Sequence, residues 1–210
     1  MVAANALEKK KTKKRAIPES LVYEYLDGKL IYRKGYKEVL NKKKKLEEII
    51  GTSGLQSVIL SYLMEMLFLK IDKKQYWVLS NEIGTHIAHR ENPASDIGIF
   101  EKSVLTPNKV TTKYVDVPAK VFIEVDIRAA LEDLSETGYI SLKTNKLLDF
   151  GAEKIIWILS ETQQVIVAEK GAKNWLWMNW SESIELVEGI EVNIGAYLQA
   201  EGIDPKAITE

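Results

Sequence analysis

The chain has 210 residues, 46% of them hydrophobic and 28% charged, with a formal net charge of −1 and no cysteine. That length and apolar content suit one domain with a substantial core, and the missing thiols exclude disulfides, a cysteine nucleophile and a zinc–thiolate site. No apolar run approaches bilayer-spanning length, and a near-neutral charge leaves nucleic-acid binding to a local patch.

Residues 1–16 read as a basic flexible leader, in which "KKKTKKR" (Lys9 to Arg15) is a solvated charge run able to touch phosphates. The start "MVAANALEKKKTKKR" lacks the apolar segment of a signal peptide, and with the absence of cysteine this suits a cytoplasmic protein. Residues 17–210 read as a single domain. "SLVYEYLDGKLIYRKG" alternates around Asp27-Gly28, the signature of a hairpin with a tight turn of positive φ. The charged stretch through Lys42 to Lys45 reads as a solvated helical or loop face. "TSGLQSVILSYLMEMLFLK" (52–70) predicts a helix capped by Thr52 or Ser53, with Leu55, Val58, Ile59, Tyr62, Leu63 and Met66 on one side. Strands follow at 75–88 and 95–100, separated by the Asn92-Pro93 break, then a central strand at 119–127. A helix over 140–151 ends at Gly151, and "KIIWILS" and "QQVIVAEK" form a hairpin about Glu161-Thr162. "NWLWMNW", "SIELV" and "IEVNI" read as further short strands. This order makes an α+β or α/β fold with a mixed β-sheet flanked by helices and extra antiparallel hairpins.

Buried strands that carry carboxylates point to chemistry, because a desolvated carboxylate is costly unless paired or bound to a cation. In "VFIEVDI", alternation puts Val121, Ile123, Val125 and Ile127 on one face, and Phe122, Glu124 and Asp126 on the other. In "SDIGIF", Asp96 shares a face with Gly98, opposite Ile97 and Ile99. If the two strands are neighbours, Asp96 and Glu124 converge, and Gly98 leaves room for an ion or substrate. A hard divalent cation, Mg²⁺ or Mn²⁺, would remove their mutual repulsion. In the helix after them Lys143 falls in the middle of the apolar arc of Leu142, Leu147 and Phe150, and Lys146 falls within it too. A lysine on a buried face either pairs with a core carboxylate or serves a purpose. Asp96, Glu124, Asp126 and Lys143 together suit phosphodiester hydrolysis, the ion polarising phosphate and the amine positioning water.

At these residues the sequence resembles the Uma-two family, assigned as endonucleases within the PD-(D/E)xK restriction-endonuclease-like superfamily. The likeness runs from about Ser20 to about Leu159 through "YEYLDGKL", the long helix, "SDIGIF", "VFIEVDI" and "KTNKLLDFGAEKIIWI". The resemblance implies a restriction-endonuclease-like fold and a Mg²⁺-dependent nuclease acting on nucleic acid, DNA before RNA. It implies metal binding at Asp96 and Glu124, with Asp126 assisting, and catalysis by Lys143, which stands eight residues before Gly151. Lys146 is the alternate lysine, Glu24 and Glu82 are expected at the site's edge, and Gln56 is a further edge candidate whose default reading is a helix-surface amide. The superfamily's proline before the aspartate is Ser95 here, with Pro93 two residues earlier. Its lysine two residues after the glutamate is Asp126, so activity depends on a lysine moved to the helix.

Duplex cleavage commonly uses two sites, which makes a homodimer an expected arrangement. The competing readings are a non-catalytic module of the same fold that binds nucleic acid or a protein partner, and an interaction domain in which Lys143 and Glu124 form a core ion pair. His86 and His89, three residues apart in a strand, face opposite ways and do not suit joint metal binding. Trp175, Trp177 and Trp180 are expected to fill a sheet face or subunit interface rather than stack bases. The chain has neither a Gly-rich phosphate loop nor a G-x-S-x-G elbow.

Overall fold

A computed structural model describes residues 17–132 and 134–204; the basic leader lies outside the described residues. The chain opens with the hairpin β1 (Val22–Leu26) and β2 (Lys29–Tyr32), turned at Asp27 and Gly28, both in the left-handed region. Two short helices, α1 (Tyr36–Leu40) and α2 (Glu47–Ile50), occupy the charged stretch. The long helix α3 (Gly54–Lys70) follows, capped by Ser53, whose hydroxyl accepts from the Gln56 backbone N–H at 3.1 Å. Strands β3 (Tyr76–Gly84), β4 (Ala94–Glu101) and β5 (Val121–Val125) lead to α4 (Glu136–Phe150). Then come β6 (Lys154–Leu159), β7 (Gln164–Glu169), β8 (Leu176–Asn179), the hairpin β9 (Ile184–Val187) and β10 (Ile190–Val192), and α5 (Ile194–Ala200).

Six strands form one sheet in the order β3-β4-β5-β6-β7-β8. Every neighbouring pair is antiparallel except β5 and β6, which are parallel and joined through α4. This is the mixed sheet with flanking helices and hairpins that the sequence predicts. Alternation divides the core. Ile97, Ile99, Val121, Ile123, Val125, Ile156 and Ile158 face α3, the β9–β10 hairpin and α5. Phe100, Phe122, Ile155, Trp157 and Ile166 face α4 and Leu26 of the first hairpin. Each such aliphatic side chain contributes roughly 1.5–3 kcal/mol on full burial, so the central strands anchor the fold.

Several boundaries differ from expectation for local reasons. The buried stripe of α3 is Gln56, Ile59, Leu63 and Leu67. Leu55, Val58, Tyr62 and Met66 flank it half-buried. The stripe is turned because that flank packs under the C-terminal elements, where Tyr62 stacks on Tyr197 at 4.0 Å. Helix α4 starts earlier than the apolar pattern, since Ser135 caps it by accepting from Gly138 N–H at 3.0 Å. It ends at Gly151 with φ +130, where a side chain would also strike Pro118. The segment after β10 is a helix rather than more strand, begun by Asn193, whose side chain accepts from Ala196 N–H. Of the three clustered tryptophans, Trp180 belongs to the core on the α3 side and Trp175 packs half-buried against the core on the α4 side, whereas Trp177 is 48% exposed on β8.

Candidate active site

Lys143 sits on the buried face of α4 with Tyr139, Ile140 and Leu147, and its side chain is 0% exposed. Its ammonium lies 3.1 Å from Glu124 Oε1 and 3.2 Å from Glu24 Oε2, and it donates to the Ala94 carbonyl at 2.6 Å. The rings of Tyr23, Tyr139 and Trp157 surround it at 5.7, 5.8 and 5.6 Å, distances at which an aromatic face attracts a cation. Burial opposes its charge, but Glu124 and then Glu24 outweigh that and hold its pKa well above the usual lysine value.

Each carboxylate has a distinct setting. Glu24 comes from β1, where it shares a face with buried Leu26; it accepts from Ala94 N–H at 3.1 Å and from the Tyr139 hydroxyl at 2.5 Å. Glu124 comes from the middle of the sheet. Burial, aided by the nearby charge of Asp96 and opposed by Lys143, pushes its pKa up to about 8. Its Oε1 is buried and has the Lys143 ammonium as its ion-pair partner.

Asp96 is placed by the register of β4 on β5. The ladder runs through Ile97↔Ile123, so its continuation sets Asp96 opposite Glu124. There the Asp96 carboxylate accepts from Val125 N–H at 2.8 Å. Burial raises its pKa, against that hydrogen bond and the charge of Lys143. Asp96 borders a cleft of about 850 Å³ whose walls include Ser57 and Met64 of α3, Glu82, Arg33 and Arg128. Glu82 stands on a bulge in β3, where the register slips between Ser80 and Ile83 and both Asn81 and Glu82 are left-handed. Burial would raise its pKa, but hydrogen bonding and charge from Arg33, with Arg128, lower it overall.

The structure therefore brings together Asp96, Glu124, Lys143 and Glu24, with Glu82 at the rim. It separates others. Asp126 does not share the face of Glu124 as alternation predicts. The strand ends at Val125, Asp126 turns left-handed (φ +62), and its carboxylate accepts from the Ser160 N–H at 2.7 Å and hydroxyl at 2.8 Å. Gly98 does not open room for an ion, because a side chain there would meet Phe100 at 2.7 Å and Ile83 at 3.1 Å. Lys146 pairs with Asp27 at 3.0 Å and Glu91 at 3.1 Å. Gln56 is buried rather than a surface amide, and donates to the Val125 carbonyl at 2.6 Å. His86 is hydrogen-bonded to Asn92. Sequence reasoning missed Arg33 and Arg128 and undervalued Glu24. The alternation of "VYEYL" against buried Leu26 was the signal for Glu24.

No family model and no curated protein matches the chain. Among solved structures it is similar to a crystal structure from Anabaena variabilis described as a "putative nuclease" belonging to DUF820. The TM-score is 0.61 at 15% identity, over 83% of this chain and 88% of that one. The likeness shows that the two share a fold, a mixed sheet flanked by helices with added antiparallel hairpins. Among the described residues, no helix is long and apolar enough to cross a membrane. No group of three or more His, Cys, Asp or Glu side chains among them is arranged to hold a metal ion.

Proposed function

We propose that this chain is a metal-dependent nuclease that hydrolyses phosphodiester bonds, with DNA as its substrate. The observation that carries the reading is a pair of buried carboxylates at the sheet centre, Glu124 and Asp96, set opposite each other on neighbouring strands and both with pKa raised by burial. Three carboxylates, Glu24, Asp96 and Glu124, crowd one ammonium. A small divalent cation fits this donor set, since Mg²⁺ is commonly held by one or two carboxylates and retains water for its other positions.

Asp96 and Glu124 would hold Mg²⁺ or Mn²⁺, which when bound supplies charge neutralisation at phosphate and a water of lowered pKa. The protein's own groups do the rest. Val125 N–H fixes the Asp96 carboxylate toward the cleft. Lys143, held charged by Glu24 and Glu124, fixes Glu124 and opposes negative charge that builds on the phosphoryl oxygens. Glu24, locked by Tyr139 and Ala94 N–H, fixes Lys143 in turn. Two copies in a homodimer would supply one site for each strand of a duplex.

Supercoiled plasmid incubated with Mg²⁺ or Mn²⁺ should be nicked by the wild-type protein and not by Asp96→Ala or Lys143→Met. Nicking that survives both substitutions would refute the reading. One observation favours a second function: the Lys143 ammonium is fully sealed between two glutamates. A non-catalytic module of this fold, binding nucleic acid or a protein partner, would keep that ion triad for stability alone. It would bind DNA or partner without nicking and show no metal-dependent melting shift.

A further inference from the structure

Arg33 and Arg128 both pair with Glu82 at the cleft that Asp96 borders. Arg33 reaches both oxygens of Glu82, Nη1 to Oε1 and Nη2 to Oε2 at 3.2 Å each, and Arg128 Nη1 lies 2.8 Å from Oε1. Glu82 is the carboxylate seated between both guanidiniums, while Asp96 lies close enough to feel the charge of Arg128. Arg33 Nε is buried with no acceptor, and an unmet donor of that kind costs about 1–3 kcal/mol. The carboxylate is presented by two successive left-handed residues, Asn81 and Glu82. Such strain costs on the order of 1–3 kcal/mol for each residue and gathers at ligand sites. The Arg33 guanidinium lies 5.4 Å from the Tyr23 ring, and the same ring lies 5.7 Å from Lys143. Arg33 and the buried ammonium thus share one aromatic neighbour.

We infer that Arg33 and Arg128 form a clamp for a backbone phosphate of the nucleic-acid strand, and that Glu82 occupies the clamp in the strand's absence. The inference rests on the proposed nuclease reading and names two positioning residues and a displaceable one for it. A planar guanidinium matches two phosphate oxygens as it matches the two carboxylate oxygens of Glu82. A phosphodiester entering beside Asp96 replaces Glu82 on both arginines. Glu82 then turns out to solvent on its bulge, and the phosphate takes its place as the arginines' counter-charge.

The test measures binding without chemistry. Anisotropy of a labelled single-stranded oligonucleotide is followed in EDTA against salt, with inorganic phosphate as competitor in a second arm. Glu82→Gln, which weakens the placeholder, should bind the oligonucleotide about tenfold tighter, the change expected from one charge-assisted hydrogen bond. Arg33→Ala and Arg128→Ala should bind about tenfold weaker, with the salt slope reduced by about 0.7 for each lost single-strand phosphate contact. Arg33→Lys should fall between, keeping charge and losing the fork. If an alanine variant unfolds by circular dichroism, Glu82→Gln and Arg33→Lys decide. Competition by inorganic phosphate would place the recognition in one phosphate group; its absence, with the arginine effects intact, would place it in the strand. Unchanged affinity in Glu82→Gln together with an unchanged salt slope in the arginine variants overturns the clamp. Normal binding effects without any nicking would instead count against the nuclease reading.

Discussion

Replacing Glu124 by glutamine should stabilise the protein at alkaline pH while abolishing nicking. In the unfolded chain this carboxyl loses its proton near 4.5, whereas in the fold burial holds the proton until about 8. Between those values the native state binds more protons than the unfolded state, so its stability falls as pH rises. At about 1.36 kcal/mol per pH unit, that withdraws on the order of 5 kcal/mol across the interval. Glutamine removes this titration and leaves Lys143 paired with Glu24 and the Ala94 carbonyl. Asp96, whose pKa is also raised, tilts both proteins the same way and largely cancels in the comparison. The advantage of Glu124→Gln over wild type should therefore grow from pH 5 to pH 8.5. At about 2–4 °C per kcal/mol for chains of this size, the melting difference widens by roughly 10–20 °C. Thermal unfolding followed by circular dichroism in EDTA across that range is the assay. Parallel melting curves for the two proteins at every pH would refute the argument, because the burial of Glu124 would then carry no electrostatic cost.

Adding Mg²⁺ or Mn²⁺ should raise the wild-type melting temperature, by an amount corresponding to about 2.7 kcal/mol at a hundredfold excess over the dissociation constant. Asp96→Ala should show no such rise in the same calorimetric scan. Lys143→Met should lower unfolding free energy by about 3–5 kcal/mol in urea titrations, more at pH 8 than at pH 5, because Glu24 and Glu124 lose their cation. Gln56→Leu removes the donor to Val125 and should cost about 1–3 kcal/mol by urea midpoint. Asp126→Asn should leave the nicking rate unchanged while lowering the melting temperature, since its carboxylate serves Ser160; a lost nicking rate would return it to the metal.

The sheet and both long helices were legible because their signals are local. Period-two alternation divided β5 correctly up to Val125, and Gly151 marked the end of α4. The convergence of Asp96 and Glu124 was legible only as a conditional, since strand order is a long-range property; the register of β4 on β5 met the condition. Alternation failed one residue later because Asp126 leaves the strand through a left-handed turn, which its side chain tolerates and no periodicity announces. Gly98 misled because the space beside a glycine belongs to whichever neighbour fills it, here Phe100. Glu24 and Arg33 meet Lys143 and Glu82 across long stretches of chain, through a hairpin docked by Asn92 backbone hydrogen bonds to Tyr25. Helix α5 was hidden because its start is set by an Asn193 cap, whereas its apolar spacing is too short to identify.

The first hairpin is a two-stranded sheet of its own, yet it delivers one of the two carboxylates flanking Lys143. Displacing it would do more than fray an edge. It would uncover a lysine whose counter-charge had been halved, and the interior of the molecule would become the weak point. A bulky group fused close to β1 therefore risks unseating the domain from within, and a fusion partner belongs after α5.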